Sequence, residues 1–337
     1  MTERRYTAAI VGATGLVGAE IVNALHERQF PLAALQCYAS DRSAGGTTGD
    51  RAVEVELLDR ANFDGTDLVF FAATERVVAE WISRATSAGA TAIDLSQLHA
   101  GDPDVPLVMP AVNAATLAGY AERGIVAVPS PIALQLAGVL ESLRAAAGLK
   151  RVVVSTYEPV SEAGRAGVEE LSQQAVALLS GGDVEVQTFP QRIAFSVLPQ
   201  VGEFLAGGYT RAEQQLINQT RRVLNDPDLA ITATCVRVPL FYGSSQSVNV
   251  QTAEPLSAAD ARTVLGRAPG MLVEDDVSAG LYPSPLTAVG RDATIVGRIR
   301  DDESAEHAIN LWLSGDNVRC AALTAVVIAE MLIRDHF

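Results

Sequence analysis

Lysine is almost missing from this chain: Lys150 is the only one among 337 residues. That removes Schiff-base catalysis and every motif built on a lysine ammonium, except at one position. The Tyr-x-x-x-Lys pair of short-chain reductases is excluded, because Ala146 stands four residues before Lys150. Cysteine is also scarce. Cys37, Cys235 and Cys320 are odd in number and scattered, which fits a reduced cytosol rather than a disulfide framework. The four histidines, His26, His99, His307 and His336, share no metal-ligand spacing with one another or with cysteine, so no metal site is expected. No apolar run reaches the ~18 residues of a membrane span, and the longest candidate, 321–333, is interrupted by Glu330. Basic residues number 25 against 40 acidic ones, a formal charge of −15. Such a surface repels phosphate backbones and anionic lipid, so neither nucleic acid nor a membrane is expected as partner. Arg4 and Arg5 precede an apolar stretch in the manner of a short signal peptide, but three glycines at a spacing of three inside it argue against that. The cytoplasm is the expected location.

What the chain has is apolar substance, 48% of its residues, enough for two domains with cores. Strand-like runs at 6–11, 35–40, 69–73, 92–95 and 125–128 alternate with helical stretches at 19–28 and 75–88. That alternation predicts an α/β domain over 1–128, with a parallel sheet of Rossmann type covered on both faces. Ser130-Pro131 then opens a helix near 131–146, Ser being a good cap and Pro a good first residue. Beyond 149 the runs lengthen and alternate. Strands are expected at 151–157, 193–198, 230–240 and 245–252, with helices near 164–179 and 211–224. This predicts an α+β domain over 129–314. A last helix, following G-D-N-V-R, returns within 315–337 to the first domain.

Gly12-Ala-Thr-Gly15-Leu-Val-Gly18 follows a strand and opens a helix. Glycine lets backbone approach a pyrophosphate, and the helix start offers N–H donors and positive potential. Gly12, Thr14, Gly15, Leu16, Val17 and Gly18 are therefore the candidate cofactor cradle. The second strand ends A-S-D-R-S-A-G, without the acid that an NAD site places on the ribose 2′-hydroxyl. Ser40, Arg42 and Ser43 suit a 2′-phosphate instead, which points to NADP. Asp41 would repel that phosphate if it turned inward.

Further pieces run in order along the chain: D-P-D-V-P-L-V-M-P-A-V-N (102–113), V-S-T-Y (154–157), V-L-P-Q (197–200), G-Y-T (208–210), C-V-R-V-P (235–239) and D-N-V-R (316–319). Together with the glycine loop and S-D-R-S-A-G, they resemble the aspartate-semialdehyde dehydrogenase family over essentially the whole length. The resemblance implies a Rossmann-type NADP-binding domain, an α+β substrate and dimerisation domain, and a homodimer.

At the family's working positions the chain departs. The nucleophilic Cys aligns with Pro131 in P-S-P-I-A-L-Q. The general-base His aligns with Ser244 in C-V-R-V-P-L-F-Y-G-S-S, and a hydroxyl cannot buffer a proton near neutrality as imidazole does. The phosphate-binding Arg aligns with His99, the Gln after S-T-Y with Glu158, and a loop Gly with Glu162. On the substrate helix, T-x-E-E-x-K has become T-R-A-E-Q-Q, with Ala212 and Gln215 at the Glu and Lys. The Arg that the family uses on a substrate carboxylate survives as Arg237. The resemblance so implies no catalytic nucleophile or base. It leaves Arg237, His99, Glu158 and Gln215 as the lining of a pocket for a small anionic ligand.

Two readings stand. One is an NADP-binding member of the family without the parent phosphorylating activity. The other is an NADPH-dependent reductase of a carbonyl or imine that needs no thiol. A third, an ordinary aspartate-semialdehyde dehydrogenase, is disfavoured by the missing Cys. A filled site around Arg237 and Ser244 favours the first, and an open one the second.

Overall fold

The computed structural model describes residues 4–337. It divides into two compact units, the residues up to Ser130 together with Ala321–Phe337, and Pro131–Cys320. Each is built on one sheet.

The first unit holds β1 (Tyr6–Val11), β2 (Leu32–Ala39), β3 (Thr47–Thr48), β4 (Val53–Leu57), β5 (Leu68–Phe71), β6 (Thr91–Asp94) and β7 (Ile125–Ala127), in the order β3-β4-β2-β1-β5-β6-β7. Every neighbouring pair is parallel except the short β3–β4 edge. The central strands read as unbroken apolar runs. Leu68–Phe71 and Thr91–Asp94 are buried at every residue, as a parallel sheet covered on both faces requires. Helices Leu16–Glu27 and Glu75–Ser87 are crossovers of this sheet.

The second unit is a mixed six-stranded sheet. Its strands are β8 (Arg151–Glu158), β9 (Ala230–Arg237), β10 (Ser244–Gln251), β11 (Met271–Val273), β12 (Thr294–Asp301) and β13 (Ala308–Gly315), ordered β11-β12-β13-β10-β8-β9. β9 ends at Arg237 rather than at 240, because Pro239 cannot donate to the ladder. β12 and β13 escape the sequence reading, although T-I-V-G-R-I-R-D and A-I-N-L-W-L-S-G carry the alternation of half-buried strands.

The expected strand at 193–198 does not form. Phe195 takes φ +57° and lies exposed, breaking any extended run. The backbone N–H groups of Ile193 and Ala194 donate to the buried Gln174 Oε1 instead of to a neighbouring strand. Only Leu198 pairs, across a bridge to Arg237.

The last helix, Asn317–Asp335, starts earlier than its apolar stretch suggests. Asp316 Oδ1 accepts the N–H groups of Val318 and Arg319, and its Oδ2 accepts that of Gly290. Asn317 is tied to Ser161 and to Gly243 N–H. These bonds make the first turn of the helix part of the second unit, so the second division falls inside the helix rather than between 314 and 315. D-N-V-R is thus a capping device for the fold.

Candidate functional site

The glycine turn leaves β1 with the geometry that a dinucleotide needs. Gly12 has φ +88°, and a Cβ there would lie 2.4 Å from Ala72 O. A Cβ on Gly18 would lie 2.2 Å from Gly12 O. Neither position admits a side chain, for reasons of backbone contact alone. Gly12 and Ala13 N–H both donate to Tyr38 O, and Thr48 Oγ1 donates to Ala13 O at 2.6 Å, pinning the turn to β2 and β3. Gly15 caps the helix that carries Leu16, Val17 and Gly18 without a side-chain bond, so its first N–H donors are not satisfied from the cap. A cradle closed to side chains, at an uncapped helix start, fits a pyrophosphate. Thr14 stands half-buried in it.

At the end of β2 the chain turns through Ser40–Ser43, with Ser40 O accepting the N–H of Ser43 and of Ala44. Arg42 and Ser40 are exposed, and the Arg42 guanidinium has no ion-pair or hydrogen-bond partner among the described residues. Asp41 Oδ1 accepts the Arg42 backbone N–H at 2.9 Å, so its carboxylate is committed within its own turn.

His99 belongs to the first unit, five residues past the end of β6. Its Nδ1 lies 2.7 Å from Oδ2 of Asp94, whose side chain is fully buried. The sequence reading placed His99 by alignment and missed Asp94, although D-L-S-Q-L-H carries both.

In the second unit Glu158, at the end of β8, and Arg237, at the end of β9, are register partners. Arg237 Nη1 donates to Pro159 O at 2.6 Å. Its guanidinium lies 3.5 Å from Glu158 and 3.8 Å from Glu162. All three charges are sequestered, with side-chain exposures of 9% for Arg237, 1% for Glu158 and 16% for Glu162. One cation faces two carboxyls. Burial pushes Glu162 up to about 8, Glu158 beside it adds to the rise, and Arg237 opposes it. Thr156 Oγ1 donates to Glu158 Oε1 at 2.7 Å, while Glu162 Oε1 is buried without a partner. The arginine is therefore already occupied by acids of its own chain.

Of the two residues expected at the nucleophile and base positions, Pro131 is half-buried and Ser244 is packed. Pro131 opens the helix Pro131–Ala147. Ser244, at the start of β10, is fully buried, and its Oγ donates to Gln135 Oε1 at 3.0 Å, one turn into that helix. Gln246 Nε2 donates to Ile132 O at 3.0 Å. Gln135 and Gln246 thus tie helix to strand, with Ser244 held between them, and neither glutamine was singled out from the sequence.

Gln215 sits half-buried on the helix Arg211–Val223, and its side chain makes no hydrogen bond among the described residues. That helix keeps Glu213 for a structural reason. Thr210 and Glu213 form a capping box, and Glu213 Oε1 also accepts Cys235 N–H at 3.0 Å. Burial pushes the thiols of Cys37 (to about 12) and Cys235 upward, the latter also through Glu158, so neither forms a thiolate near neutrality. Cys320 is half-buried, with Sγ 3.8 Å from Asn317 O. Among the described residues no cluster of metal-ligating side chains occurs, and no helix is long and apolar enough to cross a membrane.

Residues 7–120 match the family model of the semialdehyde dehydrogenase NAD-binding domain, and residues 140–320 that of the semialdehyde dehydrogenase dimerisation domain. An aspartate-semialdehyde dehydrogenase of Aquifex aeolicus is 41% identical over 335 residues, covering 98% of each chain. The chain belongs to the aspartate-semialdehyde dehydrogenase family. The solved aspartate semialdehyde dehydrogenase II of Vibrio cholerae, complexed with ASA, is 37% identical and superposes with a TM-score of 0.95, over 99% of this chain and 100% of that one. A Candida albicans aspartate semialdehyde dehydrogenase solved with NADP shares the fold at 20% identity, with a TM-score of 0.72 over 98% of both chains. The glycine cradle therefore lies in the family's NAD(P)-binding domain, and the mixed sheet in its dimerisation domain.

Proposed function

We propose that this member of the aspartate-semialdehyde dehydrogenase family binds NADP and does not carry out the phosphorylating dehydrogenation of the parent enzymes. The observation that carries the reading is the state of the aligned nucleophile and base positions. Pro131 supplies no thiol, and Ser244 is buried with its hydroxyl spent on Gln135. Arg237, paired with the buried Glu158 and facing Glu162, adds that a substrate carboxylate would have to displace a buried internal one. A site filled in this way supports the first reading. The deciding assay is phosphate-dependent NADP+ reduction with aspartate semialdehyde. The Asp94–His99 pair favours a second reading, an NADPH-dependent reductase that works without a covalent thiol.

For the cofactor, Arg42 with Ser40 and Ser43, and an Asp41 carboxylate that accepts the Arg42 backbone N–H, support NADP over NAD. A charged hydrogen bond to phosphate is worth roughly 1.5–3 kcal/mol. Arg42→Ala is expected to weaken NADPH about tenfold or more and to leave NADH unchanged, measured by calorimetry. Equal wild-type affinity for NADPH and NADH would refute the assignment.

The protein is expected to be a closed cytoplasmic homodimer. The dimerisation-domain half leaves Phe195, Val197, Phe204, Tyr209, Phe241 and Tyr242 exposed, and apolar surface of that kind is normally covered. Light scattering at micromolar concentration should give twice the chain mass, and a strictly monomeric species contradicts the assignment.

A further inference from the structure

Along the carboxyl edge of the first unit's sheet, the chain order reverses between β1 and β5. On one side, Ser40–Ser43 close β2. At the reversal, the glycine turn follows β1. On the other side, Asp94–His99 close β6. Adjacent parallel strands are ~4.8 Å apart, so β6 stands roughly 10 Å from β1 on the side away from β2. Ligands of such sheets lie outside the carboxyl ends at the reversal. A dinucleotide with its pyrophosphate on Gly12–Gly18 and its 2′-phosphate at Arg42 extends its nicotinamide half toward the ends of β5 and β6.

The turn found there is built around one imidazole. Asp94 Oδ1 accepts Ser96 N–H at 2.8 Å and Ser96 Oγ at 2.6 Å. Its Oδ2 accepts His99 N–H at 3.2 Å and faces His99 Nδ1 at 2.7 Å. Gln97 takes φ +78°, uncommon for a residue with a side chain, and is held there by Nε2 donating to Leu95 O and Val128 O. Strain of this kind, fixed by side-chain bonds, gathers at working sites. A buried carboxylate on Nδ1 sets the tautomer and leaves Nε2 as the nitrogen that gives and takes protons. Nε2 has no partner among the described residues.

We propose that His99, positioned by Asp94, is a proton-transfer residue at the nicotinamide end of the dinucleotide site, serving the reduction of a carbonyl compound. The inference rests on the reading of the first unit as an NADP site and on the second reading above, a reductase without a covalent thiol. In the reducing direction the carbonyl carbon takes a hydride from the reduced dinucleotide, which leaves as its oxidised form. The C=O π pair moves to oxygen, and that oxygen takes the proton from Nε2–H of the imidazolium. The product is an alcohol. His99 is left neutral, with Nδ1–H still on Asp94, and regains its proton from water.

The test uses the full chain and begins with a readout independent of turnover. Diethyl pyrocarbonate modification of the four histidines is followed by mass spectrometry. NADP+ and nicotinamide mononucleotide are expected to slow modification of His99 by about tenfold or more. Adenosine 2′,5′-bisphosphate, the other half of the cofactor, should leave it unchanged. NADPH oxidation is then followed with glyoxal and 4-nitrobenzaldehyde as probes. His99→Asn and His99→Gln should lower kcat by ~10²-fold or more, with NADPH affinity within about threefold of wild type. Asp94→Asn should lower kcat at unchanged KM. Modification of His99 at an unaltered rate under saturating NADP+, a His99→Asn variant as fast as wild type, or a wild type that reduces neither probe overturns the proposal. If calorimetry detects no NADPH binding, the NADP reading falls and this inference with it. Binding without protection of His99 overturns this inference alone.

Discussion

Given aspartate semialdehyde, phosphate and NADP+, the wild-type protein is expected to turn over far below ~1 s⁻¹, the low end for ordinary enzymes, and Pro131→Cys alone is expected to leave it there. The covalent route needs a thiol, and Pro131 has none. Restoring one leaves Ser244 where a base would contribute ~10²–10⁴-fold. That serine is fully buried and bonded to Gln135, so even Ser244→His must first open a packed contact. On the proposed correspondence His99 replaces a forked guanidinium that would grip phosphate in two places, and its ring is engaged by Asp94. Arg237 is paired with Glu158 and faces Glu162. Members of one catalytic unit are not additive, and repairing one recovers little while the others are missing. The series to measure is wild type, Pro131→Cys, the double variant adding Ser244→His, and the triple variant adding His99→Arg. Wild-type turnover at or above ~1 s⁻¹ would falsify the proposed loss of activity.

Raising the pH from about 5 to about 8 is expected to weaken the dimerisation-domain half of the protein, and Glu162→Gln to remove that weakening. An exposed glutamate has a pKa of ~4.3, whereas burial and Glu158 hold Glu162 up to about 8. Below ~4.3 both folded and unfolded chains carry the proton, and this carboxyl sets no slope. Between the two values the folded chain keeps a proton that the unfolded chain has shed. Stability therefore falls as pH rises, by up to about 1.4 kcal/mol per pH unit. The full slope is an upper bound, because the side chain is 16% exposed and can rearrange toward water. Above about 8 both states are ionised and the slope ends. Glutamine keeps the volume and removes the titration. Arg237→Ala acts in the opposite sense. It leaves Glu158, 1% exposed, without its cation, and breaking a buried pair in that way costs about 3–5 kcal/mol. Urea denaturation at about pH 5, 6.5 and 8 separates these effects. Wild type and Glu162→Gln midpoints that move in parallel would contradict the assignment.

The Rossmann-type half was legible in the sequence because a parallel sheet buried on both faces writes continuous apolar runs, and a glycine turn that must meet backbone admits nothing else. Gly12 and Gly18 follow from contact with Ala72 O and Gly12 O, and such local constraints leave their mark residue by residue. The residue types at positions 131 and 244, Pro and Ser, were legible in the same way. The run 193–198 misled because its apolar content resembles a strand, while the N–H groups of Ile193 and Ala194 are claimed by Gln174, about twenty residues away. No local pattern announces a partner at that distance.

The fold, the family and the residue types at positions 131 and 244 were determined by the sequence alone. Charge pairing was decided only in three dimensions. Arg237 lies far along the chain from Glu158 and Glu162, and they meet because β8 and β9 run in parallel register to a common end. Ser244 and Gln135, 109 residues apart, meet because β10 starts against the first turn of the helix that Pro131 opens. A residue's type states which bonds it can make. Whether an arginine is free to grip a ligand, or is spent on its own chain, depends on which groups folding removes from water beside it. That is a property of packing, where a buried charge must find its partner.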